Sequence, residues 1–352
     1  LSYERLQELE ASRAFEGTRR FEDLIFYHVA FDELNGDEHT ESTLCRLVGN
    51  RGRVAVVGPS GSGKSSVIAS VFGPLSMDLP ENFIPLRIPV AAEVDEVVTE
   101  PGALAGHMVR YVTRWASPEK FSAAEKQAFE RGVAEVQRRA GGRKTREYHV
   151  GLPVWLANVE FARQVQGAGE EFELRPSGAD AIEHLKEMVS LFESHDLFPV
   201  FVFDDSDTWL RIPGLDRADT ATAFFMTNVR MMCKEVDAGL VLAVHTDYLE
   251  LDGYKEAAQM LSGEVSIPRL GNPQQGVERI LHDRLAVAEV PVKIAGIIDD
   301  DAVAHLAEYY ETGRTIRDLL RVVQRALQDA LSDSHDRITS PLIQQAIGEV
   351  AR

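Results

Sequence analysis

Eight consecutive residues, Gly58-Pro59-Ser60-Gly61-Ser62-Gly63-Lys64-Ser65, fit the pattern G-x-x-x-x-G-K-[ST]. Glycines at these positions let successive backbone N–H groups turn inward around phosphate oxygens, and the positive end of a following helix adds its field. Lys64 then reaches the outer phosphates, the Ser65 hydroxyl ligates Mg²⁺, and Ser66 completes the candidate phosphate-binding set. The flanks agree with this reading. Arg53-Val54-Ala55-Val56-Val57 is a short apolar run suited to a buried parallel strand, and residues 64–73 read as a helix closed by Gly73-Pro74. A bland strand-to-helix turn has no need of a lysine at its far end.

A loop of this kind needs a carboxylate to hold the metal's water shell. The run Phe198–Phe203 ends in Asp204-Asp205, at the carboxyl end of an apolar strand, where α/β sheets place ligands. Asp204 is the candidate for Mg²⁺ and Asp205 for polarising the attacking water. Two aspartates can also simply close a strand and open a turn; the loop at 58–65 favours the chemical reading. Other chemistries find little support. There is no Cys/His cluster for zinc and no nucleophile elbow, and His245 and His282 read as hydrogen-bonded structural groups. The stretch Arg138–Arg146, with Arg143, Lys144 and Arg146 and with Tyr148 and Trp155 nearby, suits either a nucleic-acid backbone or a solvated loop.

Asp204-Asp205-Ser206-Asp207-Thr208-Trp209 resembles the Walker B block of AAA+ ATPases, especially the replication-initiator and origin-recognition clade, and also that of STAND signalling ATPases. Asp205 stands where most AAA+ members have Glu, which implies slow turnover. The resemblance covers most of residues 40–352. It implies that Gly239–Val244, ending in His245-Thr246-Asp247, is the sensor-1 strand, with Thr246 reading the γ-phosphate or the water. It also makes Thr312–Leu320 similar to the sensor-2 helix, where Arg317, with Arg314 as runner-up, would contact the γ-phosphate. An arginine donated by a neighbouring subunit is harder to place: Asp247–Pro268 contains only Lys255 among basic residues, flanked by Arg230 and Arg269.

The elements that must carry these residues follow from periodicity. Residues 1–50 read as helical, with a turn at Asn35-Gly36-Asp37. Phe83–Val90 is a strand candidate that Pro85 and Pro89 make an edge or a strained one, and Val265–Ile267 a fifth strand. Helices are expected at about 180–192 and 219–236, then at 274–289, 299–311, 314–331 and 340–350, with Asp299 and Ser340-Pro341 as start signals. The expected fold is α/β: a P-loop parallel five-stranded sheet with a helical insertion and a C-terminal all-helical lid. The divisions are an N-terminal helical segment 1–50, an α/β domain 51–272 with its insertion at about 91–195, and a lid 273–352.

The chain has 352 residues, with 37 basic and 56 acidic side chains and a net charge of −19, which disfavours indiscriminate coating of polyanions. With two cysteines, no signal peptide and no apolar run long enough to span a bilayer, a cytoplasmic protein without membrane association is expected. The sequence as a whole predicts an ATP- and Mg²⁺-binding ATPase that couples nucleotide state to a protein partner or to nucleic acid, with homo-oligomerisation open. The alternative is an ATP-loaded interaction module with little or no turnover.

Overall fold

The computed structural model describes residues 2–17, 21–36, 39–72, 79–80, 82–88, 100–115, 178–194, 196–204, 216–288 and 294–350. Asp205, the basic stretch 138–146 and its neighbours Tyr148 and Trp155, and most of the expected insertion lie outside the described residues. The chain begins with helices α1 (Ser2–Ser12), α2 (Phe21–Leu24), α3 (Phe31–Asn35) and α4 (Thr40–Gly49), followed by β1 (Arg53–Val57) and α5 (Lys64–Val71). Next come β2 (Phe83–Arg87), α6 (Pro101–Trp115), α7 (Gly178–Ser194), β3 (Phe198–Phe203), α8 (Arg217–Ala223), α9 (Arg230–Glu235) and β4 (Gly239–Val244). After α10 (Asp252–Ala258) and β5 (Gly263–Ser266), the helices are α11 (Pro273–Val287), α12 (Asp300–Glu311), α13 (Ile316–Ser332) and α14 (Ser340–Val350).

The five strands form one sheet in the order β2-β3-β4-β1-β5. Phe83 pairs with Phe198 and Val200 with Gly239, both in parallel register. The Ser262 N–H donates to Arg53 O at 2.7 Å and the Ile267 N–H to Val57 O at 2.7 Å, so β5 runs in the same direction as β1. Residues buried on both faces explain the unbroken apolar runs of β3 and β4, which are buried at every position. β2 is the edge, as Pro85 requires, and it is only partly covered.

The chain divides into two compact units, residues 1–46, 56–79 and 264–352 in the first and 47–55 and 80–263 in the second. In the first unit the four tail helices stand where periodicity placed them. Asp299 holds the N-cap position of α12 as expected, but its carboxylate makes no capping bond and accepts from Arg337 at 3.1 Å instead. α14 opens one residue early, with the Ile343 N–H on Thr339 O, so Ser340 lies inside the helix. α1 packs along α13, and Leu6, Leu9 and Phe15 are fully buried.

In the second unit α6 and α7 pack together, with α7 against β3. The helix expected at 219–236 is interrupted: α8 passes through a wider π turn, Phe224–Val229, before α9. The wider turn has a physical reason. It lowers the angle between neighbouring side chains, so adjacent Phe224 and Phe225 are both buried, the first against Phe203 and the second against Tyr254 at 5.1 Å. Among the described residues no helix is long and apolar enough to cross a membrane.

Candidate nucleotide site

The glycine-rich loop leaves β1 and feeds α5, with Gly63 at the helix N-cap. Gly61 and Gly63 have φ of +81° and +110°, a region that L side chains rarely adopt. A side chain at Gly61 would also strike Arg317 Cβ and Thr315 Oγ1, each 2.7 Å from the Cβ position. Lys64 is buried, and its ammonium donates to Gly58 O at 2.6 Å and Pro59 O at 3.0 Å, folded back onto the loop's own carbonyls. Ser62 Oγ is buried with no hydrogen-bond partner among the described residues. A hydroxyl orphaned inside a glycine cradle, beside a buried ammonium and a helix N-terminus, fits a phosphate group.

The tail helices touch this loop through α13. Thr315 caps that helix in a capping box: its Oγ1 and N–H both reach the Asp318 carboxylate, at 2.8 and 3.0 Å. The box fixes where the helix starts, and so places Arg317 in its first turn. The Arg317 N–H donates to Gly61 O at 3.2 Å and its guanidinium to Ser60 Oγ at 3.3 Å. Arg314, the other candidate, precedes the helix and lies over the Tyr309 ring at 5.5 Å. Arg269 stacks on Tyr310 at 4.3 Å and donates to its carbonyl, so it serves to pin the entry to α11.

The N-terminal segment reaches the loop from another direction. Phe31 ring atoms lie 3.4 and 3.5 Å from the Gly63 Cβ position. His28 Nδ1 is 2.9 Å from Ser66 Oγ, and its Nε2 is 3.0 Å from Glu41 Oε1. Glu41 also accepts from the N–H groups of Phe31 and Asp32, at 2.9 and 3.2 Å. Burial pushes the Glu41 carboxyl up, but His28, the Phe31 N–H and Asp32 outweigh it and hold it at about 2. Asn35 bridges to the chain ahead of α11, donating to Arg269 O and accepting from the Gly271 N–H, each at 2.9 Å.

In the second unit Asp204 is buried at the end of β3, and Arg87, at the end of β2, donates to its Oδ2 at 3.1 Å. Thr246 is exposed and opens a short 3-10 turn after β4. His245 Nδ1 accepts from the Asp247 N–H at 3.1 Å, the structural role expected of it. Among the described residues no group of three or more His, Cys, Asp or Glu could hold a metal.

No family model matches the chain, and no curated protein matches it. Solved structures do resemble it. The Aeropyrum pernix ORC2 protein, determined as ADPNP–ADP complexes, is 12% identical over 91% of this chain and 71% of its own, with a TM-score of 0.51. Cdc6p from Pyrobaculum aerophilum is 15% identical over 92% and 72%, with a TM-score of 0.47. The Aeropyrum pernix ORC1 protein in complex with DNA is 14% identical over 95% and 71%, with a TM-score of 0.48. The ORC2 likeness carries the assignment. The chain shares the fold of that ORC2 protein, a parallel α/β sheet followed by helices.

On this frame, the sequence-predicted residues Gly58, Pro59, Ser60, Gly61, Ser62, Gly63, Lys64, Ser65, Ser66 and Arg317 fall in one compact unit, and Asp204 and Thr246 in the other. Sequence reasoning missed His28, Glu41, Phe31 and Arg87. His28, Phe31 and Glu41 fall in the stretch 1–50, which reads only as helical, and Arg87 sits within an edge strand with no motif around it. Nothing local marks any of the four, because each meets its partner only through the fold.

Proposed function

We propose that the chain binds a nucleoside triphosphate, ATP by its AAA+ resemblance, in the loop 58–66, and hydrolyses it to ADP and phosphate to alter its affinity for a partner. The observation that carries this reading is the loop itself: a glycine cradle holding an orphaned Ser62 hydroxyl and the buried Lys64 ammonium, with Arg317 on its rim. Backbone N–H groups and Lys64 bind the phosphates. The Ser65 hydroxyl and the Asp204 carboxylate are hard oxygen donors of the kind Mg²⁺ takes, and they would hold it. The metal, when bound, neutralises phosphate charge. Asp205 orients water, and Thr246 and Arg317 respond to the γ-phosphate. Calorimetry with Mg·ATP is expected to show saturable heat that Lys64→Ala abolishes. Equal heats from the two proteins would refute the proposal.

A second reading, an ATP-loaded interaction module that scarcely turns over, is favoured by one contact. Arg87 pairs with the carboxylate proposed for the metal, and the residue proposed to orient water is an aspartate rather than a glutamate. Steady-state phosphate release separates the readings: Asp205→Asn abolishes it in a working ATPase and changes little in a static module. Nucleic acid is a candidate partner through residues 138–146, and a protein client or a second copy of the chain are others.

A further inference from the structure

Ser66 occupies the third position of α5, inside the first turn, where helix N–H groups lack intrahelical acceptors and face an anion. A serine there commonly bonds back to its own helix. Ser66 instead meets the His28 ring, which arrives from 38 residues earlier. The ring is backed on its far side by Glu41, and the His28 and Glu41 side chains are 7% and 14% exposed. Glu41 is itself fixed by two backbone N–H groups, and Phe31, between His28 and Glu41 in sequence, lies against Gly63. The strip 28–32 therefore meets the loop and its helix at two separate points.

We propose that His28 is a positioning residue of the nucleotide site, holding Ser66 Oγ so that its hydroxyl hydrogen points at a phosphate oxygen. The proposal rests on the reading of 58–66 as the nucleotide loop. An ionised Glu41 only accepts, so the hydrogen in its bond with His28 belongs to Nε2. At Nδ1 there are two arrangements: Ser66 donates to the ring, or the ring donates to Ser66. Only the second frees the hydroxyl hydrogen, and a phosphate beside Ser66 selects it. Glu41, His28 and Ser66 form one chain of hydrogen bonds ending at the ligand, which makes residues 28–41 part of the site.

The test is a double-mutant cycle read by calorimetry with Mg·ATP and Mg·ADP, on the wild type, His28→Ala, Ser66→Ala and the pair, with Lys64→Ala as control. Each single variant is expected to lose about fivefold to tenfold in affinity for both nucleotides, the scale of one hydrogen bond. The pair should lose no more than the worse single variant, because either change breaks the same chain. KM should move with affinity while kcat stays. Losses that multiply in the pair, or unchanged affinity in His28→Ala, overturn the proposal. Should His28→Ala fail to fold, Glu41→Gln replaces it: affinity falls with Ser66 present and is unchanged with Ser66→Ala, and a fall in both backgrounds overturns the proposal. A wild type that binds neither nucleotide refutes the loop reading itself, whereas binding indifferent to His28 removes only the role of His28.

Discussion

Arg317 is tied to the loop at both ends of the residue, its N–H on Gly61 O and its guanidinium on Ser60 Oγ. A nucleotide's terminal phosphate offers that guanidinium a charged acceptor in place of a serine hydroxyl, and charge-assisted bonds are about twice as strong. Arg317→Ala is therefore expected to weaken ATP by about tenfold while ADP falls much less. Titrating both nucleotides checks it, and an equal loss would remove the arginine from γ-phosphate recognition. Glu41 belongs to the same scale. Its carboxyl is depressed from 4.5 to about 2, since burial is outweighed by its bonds to His28, the Phe31 N–H and Asp32. A group depressed on folding stabilises the native state above its unfolded value, so this contribution is complete above 4.5 and fades as pH falls toward about 2. Melting temperature followed through that window should drop less steeply in Glu41→Gln than in the wild type. Parallel curves would show that Glu41 adds no acid-labile stability.

At the scale of elements, the start of α13 decides where Arg317 stands. Thr315→Ala removes the cap oxygen and is expected to cost about 1 kcal/mol in urea unfolding. It should also loosen the register that brings the arginine to Ser60. Much of this level was legible in the sequence: β3 and β4 were found to the residue, because a run buried on both faces has no polar interruption to blur its ends. The loop was legible because its chemistry is contiguous, Gly58 to Ser66. Three features were not. The π turn Phe224–Val229 depends on aromatic partners as distant as Phe203 and Tyr254. The side chain of Asp299 prefers Arg337 to its own helix, a choice made 38 residues away. Arg87 reaches Asp204 only because β2 and β3 run side by side.

Across the whole molecule, the first unit joins the two ends of the chain: Tyr3 donates to Leu331 O at 3.3 Å, and Gln324 donates to Glu10 at 2.6 Å. Removing residues 1–15 would strip α1 from α13, take the buried Leu6, Leu9 and Phe15 with it, and leave apolar surface behind. A lower melting temperature and increased binding of a hydrophobic dye are the expected readouts, and an unchanged melt would show that α1 is dispensable for stability. The arrangement also has a temporal side. On the ribosome, Leu6 and Leu9 emerge long before the helix α13 that packs on α1, which is made more than 300 residues later. Translation at about 5–20 residues per second leaves that greasy stripe naked for many seconds. Closure of the first unit is thus a late step of synthesis, in a way that it is not for a protein built from local contacts.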